Sequence, residues 1–152
     1  MSILKKLILV LIPVITILFI SCAHVIPDPQ VVISEDAARP IGGSSQAIKT
    51  GNALYLAGQL GLEPGTEQLV PGGILAETQQ ALRNIDALLR RSDYTSRDVV
   101  RVEVFLTNIN DYQTVQMVFD NYFTSRPPAV NFVEVNRLPR GGMICILATA
   151  SK

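Results

Sequence analysis

The amino-acid sequence reads as an α+β domain in which two helices pack on one face of a mixed sheet. Three observations carry that reading. Two segments repeat apolar residues at intervals of three and four; several others are apolar runs or alternate with period two; and the segments follow one another as β-β-α-β-α-β-β. With 152 residues, 48% of them hydrophobic and 17% charged, the chain has material for one core, and dividing it would leave each part short of buried area.

Residues 1–21 read as a signal peptide. Lys5 and Lys6 form a positive start, and Leu7 to Ile20 is apolar except for Pro13 and Thr16. That run is shorter than the roughly 20 apolar residues that cross a bilayer, and it suits the hydrophobic region of an export signal. Phe19-Ile20-Ser21-Cys22 resembles a bacterial lipobox, which implies lipid on Cys22 and an exported lipoprotein held at a membrane of the cell envelope. Residues 22–38, with Pro27 and Pro29 and no helical or strand period, read as a tether carrying the one histidine, His24. The folded domain is expected over 39–152.

Within it, Ser45 to Thr50 and Ala53 to Gln59 read as two strands joined at Gly51-Asn52, a hairpin turn pair. Gly61 to Gly73 reads as a loop, and Gly72-Gly73 as the turn into a helix with Glu77 near its start. Ile74, Leu75, Thr78, Ala81, Leu82, Ile85, Leu88 and Leu89 then form one apolar stripe. Asp98 to Thr107 alternates, placing Val100, Val102, Val104 and Leu106 on one face. Asp111 reads as the cap of a second helix whose stripe is Tyr112, Val115, Val118, Phe119, Tyr122 and Phe123, stopped by Pro127-Pro128. Ala129 to Val135 and Met143 to Ala150 supply the last strands, with apolar residues on both faces. One layer of helices covers one face only, so the other is expected to be buried between copies of the chain.

Composition removes several function classes. Thirteen Lys and Arg balance thirteen Asp and Glu with no basic run, which argues against nucleic acid as a partner. Cys22, Cys145 and His24 supply neither a disulfide framework nor a zinc ligand set, and no metal or cofactor is expected. Gly58-Gln59-Leu60-Gly61 precedes no helix start and is no phosphate loop.

The chain resembles the RidA/YjgF family of imine-hydrolysing proteins from about Asp36 to Ala150. The resemblance rests on Pro40-Ile41-Gly42, Ser45-Gln46-Ala47, Gly51-Asn52, Tyr55 and Gly58-Gln59, on Thr78, Ala81-Leu82 and Asn84, and on Asp98-Val99-Val100, Val104-Phe105-Leu106, Tyr112 and Phe123. Pro127-Pro128-Ala129, Val133, Val135, Leu138-Pro139 and Gly141 complete it. It implies a chorismate-mutase-like α+β fold, a homotrimer and clefts between subunits. In those clefts a 2-imino acid loses ammonia to give a 2-keto acid. An arginine forks onto the substrate carboxylate and a glutamate places the attacking water.

Against that pattern, Val130 stands where the resemblance implies the arginine and Cys145 where it implies the glutamate. Ser44 replaces a tyrosine, Gly43 a proline, Ala57 a serine and Gln116 an asparagine. The cleft is therefore expected to be lined by Ser44, Ala57, Gly58, Val130, Asn131 and Cys145, with no catalytic residue assigned. Losing a charge-assisted fork costs about 1.5–3 kcal/mol, which is about ten- to hundredfold in rate. Arg126, Arg137 and Arg140 are the alternative cations weighed. Cys145 reads as a small buried hydrophobe, with a reactive thiol as the functional alternative. Three functions follow: a lipid-anchored trimer binding a small, rather apolar metabolite, a residual imine or enamine deaminase, or a structural role at the membrane.

Overall fold

The computed structural model describes residues 28–66 and 68–152. The signal peptide, Cys22 and His24 lie outside them. Six strands form one sheet: β1 (Gln30–Val32), β2 (Ala47–Thr50), β3 (Ala53–Leu60), β4 (Val99–Leu106), β5 (Ala129–Glu134) and β6 (Ile144–Ser151), in the spatial order β1-β2-β3-β6-β4-β5. Every pairing is antiparallel except β4 with β5. That parallel pair is joined by a helical crossover, the connection such a pair requires. Two helices, α1 (Gly73–Arg91) and α2 (Tyr112–Tyr122), complete the α+β architecture.

The helices cover one face. Leu82, Ile85, Leu88 and Leu89 of α1 and Val115 and Phe119 of α2 form one core with Leu54 and Leu56 of β3, Val102, Val104 and Leu106 of β4, and Ile144 and Ile146 of β6. Leu75 departs from the expected α1 stripe and is 42% exposed. β6 sits in the middle of the sheet, and its alternation of buried and half-buried residues is the clean period-two pattern of a strand covered on one side. On the opposite face Tyr55 and Val133 are 51% and 43% exposed, Phe105 and Leu147 are half-buried, and Arg101 pairs with Glu103. Among the described residues no helix is long and apolar enough to cross a membrane.

Four further expectations change. The stretch read as tether is partly folded, because Gln30–Val32 pairs with β2 as an edge strand, with Val31 opposite Ile48. Three residues are too few to show a period, and Pro27 and Pro29 just before them hide the strand. The first hairpin strand begins at Ala47 rather than Ser45. In β4 the register shifts between Val99 and Arg101. That irregularity sends Val99 into the core and leaves Val100 40% exposed, because an extra residue in one strand inverts the alternation before it. Asp111 makes no capping bond to α2. The chain enters that helix through a 3-10 turn, Ile109–Asp111, capped by Asn108, whose side chain accepts from the Asn110 N–H at 3.1 Å.

One close approach fixes how α1 meets the sheet. A Cβ on Gly61, at the end of β3, would lie 2.5 Å from the Glu77 Cα. Only glycine lets the helix backbone come that near. Asn84, fully buried, ties the same corner: its Nδ2 donates to the Leu60 and Leu62 carbonyls at 3.2 and 3.0 Å, and its Oδ1 accepts from Gln80 at 2.9 Å.

Candidate functional site

The site begins with Gln46, just before β2 and 3% exposed. Its Oε1 accepts from the Ser34 N–H at 2.8 Å. Its Nε2 donates to the carbonyls of Ser34, Ala37 and Ala38 at 3.0, 3.3 and 2.8 Å. One amide thus satisfies a buried turn that no regular element serves. The turn swings residues 34–40 over the start of β2 and closes a cavity of about 710 Å³. Ser44 and Ser45 line it, with Glu35, Arg39, Val31 and Ile33. Ser44 Oγ donates to the Ile41 carbonyl at 3.1 Å, so its lone pairs stay available.

The other sequence-chosen positions lie elsewhere. Ala57 and Gly58 occupy the irregular stretch of β3 where the register against β6 shifts between Leu56 and Gln59. A Cβ on Gly58 would meet Cys145 Sγ at 2.5 Å and Leu147 at 3.2 Å, so Gly58 and Cys145 are in intimate contact. Cys145 is half-buried and packs against the cluster of Ala38, Leu60 and Leu62. Burial pushes its thiol up to about 11, with no charged group helping the thiolate. Val130 sits opposite Val102 and packs on the main core, whereas Asn131, opposite Glu103, is exposed.

Ser44 and Val130 are therefore not neighbours within one chain. β2 and β5 are four places apart in the sheet, about 19 Å at the usual strand spacing. The six positions fall into three groups: Ser44 in the cavity, Ala57, Gly58 and Cys145 mid-sheet, and Val130 and Asn131 on the edge strand β5. Arg126, Arg137 and Arg140 are exposed loop residues and do not line the cavity. The guanidinium that does line it is Arg39, which the sequence reading left at the margin between tether and domain. Its signal was faint: a charged residue directly before Pro40-Ile41-Gly42, in a segment with no period.

Glu77, read from the sequence only as a residue near a helix start, is a buried carboxylate. It is 5% exposed, and its Oε2 accepts from the Met143 N–H at 2.8 Å. Desolvation raises its pKa above the ordinary carboxylate range, against the lowering effect of the Met143 and Ile144 N–H groups. Among the described residues no cluster of His, Cys, Asp and Glu could hold a metal ion.

A family profile described as Endoribonuclease L-PSP matches residues 34–152. The chain belongs to that family, the RidA/YjgF proteins. A RutC family protein of Pyrococcus horikoshii is 43% identical over 123 residues, 81% of this chain and 98% of that relative. A Bos taurus protein named 2-iminobutanoate/2-iminopropanoate deaminase is 40% identical over 121 residues, 80% of this chain and 88% of the relative. Among solved structures, RidA from the Antarctic bacterium Psychrobacter superposes with a TM-score of 0.78 at 33% identity, covering 81% of this chain and 99% of that one. The family match includes residues 34–38, in agreement with the Gln46 clamp that makes them part of the domain.

Proposed function

We propose that the chain is a RidA-family protein that binds a small metabolite in clefts shared between copies of itself, with the imine deaminase reaction weakened. The observation that carries this is the pair of replacements read from the resemblance, set in their surroundings. Val130 is an apolar residue packed on the core, and Cys145 is a half-buried thiol whose raised pKa keeps it protonated at neutral pH. Neither can fork a carboxylate or place a water. The separation of Ser44 from Val130 supports a cleft with walls from two subunits, since one chain alone does not bring those positions together.

The test is ammonia release from 2-iminobutanoate generated in situ by an amino-acid oxidase. Turnover is expected about ten- to hundredfold below that of a relative carrying both groups, and the double variant Val130→Arg/Cys145→Glu is expected to recover part of it. Wild-type turnover equal to that of such a relative would sink the reading.

The proposal includes export and lipid attachment at Cys22, supported by Lys5, Lys6, the apolar run Leu7–Ile20 and Ser21-Cys22. Membrane fractionation of wild type and Cys22→Ser tests it. The wild type is expected in the membrane fraction and the variant is not; a wild type found wholly in the soluble fraction contradicts the anchor.

A further inference from the structure

Beyond residue 21 the chain has only two lysines, Lys49 and Lys152, and both end at the same ring. Lys49 Nζ lies 5.4 Å and Lys152 Nζ 5.0 Å from the centroid of Tyr94. Lys49 donates to the Ser92 carbonyl at 3.3 Å and Lys152 to the Asp93 carbonyl, so the turn that follows α1 holds both ammonium groups. Each bond uses one of three donors and leaves the others for an outside acceptor. Arg91, exposed, is the residue before this turn, and its Nε donates to the Ile33 carbonyl at 3.3 Å. Lys49, Arg91 and Asp93 line one hollow with Gln30 and Val31 of β1. Among the described residues none of the three cations makes an ion pair. Lys49 shares its side of β2 with the buried Ala47. The cluster therefore lies on the helix side, away from the sheet face assigned to contact between copies.

The chain also enters the fold here. Gln30 opens β1 directly opposite Lys49. The link from Cys22 to Asp28 reaches at most about 20 Å, so lipid on Cys22 holds this end of the domain close to a membrane. General attraction of the chain to acidic lipid is excluded: without Lys5 and Lys6, 11 basic residues face 13 acidic ones. Only a local patch can be attracted. Asp28 and Asp93 subtract from its charge, but carboxylates farther than a Debye length, about 10 Å at 0.1 M salt, are largely screened.

We propose that Lys49, Lys152 and Arg91 form a docking surface for the anionic headgroups of the membrane that holds Cys22. The inference rests on the reading of Cys22 as the lipidated residue. The lipid supplies attachment and the patch supplies orientation. It turns the start of β1 and the C-terminal end of α1 toward the headgroups, and the far end of the sheet, where β3 stops and β6 begins, toward solvent.

The experiment measures how residues 22–152, carrying one alkyl chain, partition onto vesicles. The matched part makes up 98% of the Pyrococcus horikoshii relative, so this fold needs no leader. A tetradecyl maleimide is coupled to the Cys22 thiol; Cys145 stays unreacted because burial pushes its thiol up to about 11. One such chain binds membranes marginally and reversibly, so any added attraction shows as a change in partition. Vesicles of phosphatidylcholine alone are compared with vesicles containing one-third phosphatidylglycerol, at about 0.05 and 0.5 M salt. Each cation held at an acidic surface is worth about fivefold. The wild type is expected to favour the acidic vesicles about tenfold or more at low salt and to lose that preference at high salt. Lys49→Gln/Lys152→Gln is expected to lose most of it, and Lys49→Arg/Lys152→Arg to keep it. Arg91→Gln, at an exposed side chain, is expected to cost about threefold to fivefold, and it carries the test if the lysine pair disturbs the fold. Arg137→Gln, an exposed residue at the opposite end of the sheet, is expected to change nothing. The proposal is overturned if the wild type shows no preference, if the glutamine pair or Arg91→Gln keeps it in full, if the arginine pair loses it, or if Arg137→Gln removes as much. The alkyl chain replaces the cellular lipid, which separates this result from the anchor reading. A wild type found wholly soluble in cell fractionation removes the anchor and leaves the measured preference standing; an absent preference removes the docking surface and leaves the anchor.

Discussion

Gln46 shows how much one side chain carries. It is the partner of one buried N–H and three buried carbonyls in a segment that owns no ladder of its own. Truncation leaves those groups facing protein rather than water, at about 1–3 kcal/mol for each that finds no substitute. Gln46→Ala is expected to lose about 2–4 kcal/mol in urea unfolding. Gln46→Glu is expected to lose at least as much, since a carboxylate cannot donate to three carbonyls. A loss under 0.5 kcal/mol in either variant would show that the clamp is decorative. Cys145 is the opposite case, a residue whose chemistry is silenced by its place. With its pKa near 11, the thiolate is roughly a thousandth of the population at pH 8. In a Cys22→Ser background the folded protein is expected to react with a thiol reagent far more slowly than the urea-unfolded chain. Equal rates would make Cys145 an accessible nucleophile.

At the scale of elements, the contact between α1 and β6 is pH-dependent through Glu77. The folded carboxyl has a raised pKa, so the native state holds the proton to higher pH than the unfolded chain. Its contribution is fully present below the unfolded carboxylate range and is lost as pH rises through the folded value. Glu77→Gln keeps an oxygen to accept from the Met143 N–H and removes the buried charge. It is expected to raise the melting temperature by a few degrees at pH 7–8, with the gain vanishing toward pH 4. A gain that persists at pH 4 would contradict the assignment. The elements themselves were legible wherever a period ran long enough. The stripe from Thr78 to Leu89 and the alternation of β6 each follow from one buried face repeated over whole turns or residue pairs. β1 was invisible because a three-residue edge strand has no period. Val100 misled because a register shift is a backbone event, with no signature in residue type. The site was less legible still. Ser44 reached the cavity through its place in the resemblance, but Arg39 and Glu35 are polar residues in an aperiodic turn, and only the fold of that turn around Gln46 brings them to the same cavity wall.

For the whole molecule, the sheet face without helices is the surface on which the proposed assembly rests. Tyr55, Phe105, Val133 and Leu147 put apolar and aromatic surface on it, and the sequence-chosen cleft positions are divided among the cavity, the middle of the sheet and the β5 edge. Both facts agree with the proposed cleft between copies: in the trimer that the resemblance implies, each chain would cover its neighbour's open face and bring its own β5 edge to the neighbour's cavity. Light scattering on the chain from residue 28 onward is expected to give three times the chain mass. The double variant Tyr55→Asp/Val133→Asp places charge where copies would meet, at side chains already about half exposed in the isolated chain, so the single chain should tolerate it while the assembly does not. The expected result is a lower mass with the circular-dichroism spectrum of the wild type, and 2-iminobutanoate turnover reduced further as the shared cleft is lost. A wild type that runs as a monomer, or a double variant that keeps the full mass, would mean that this face is covered in some other way and that the divided cleft positions never meet.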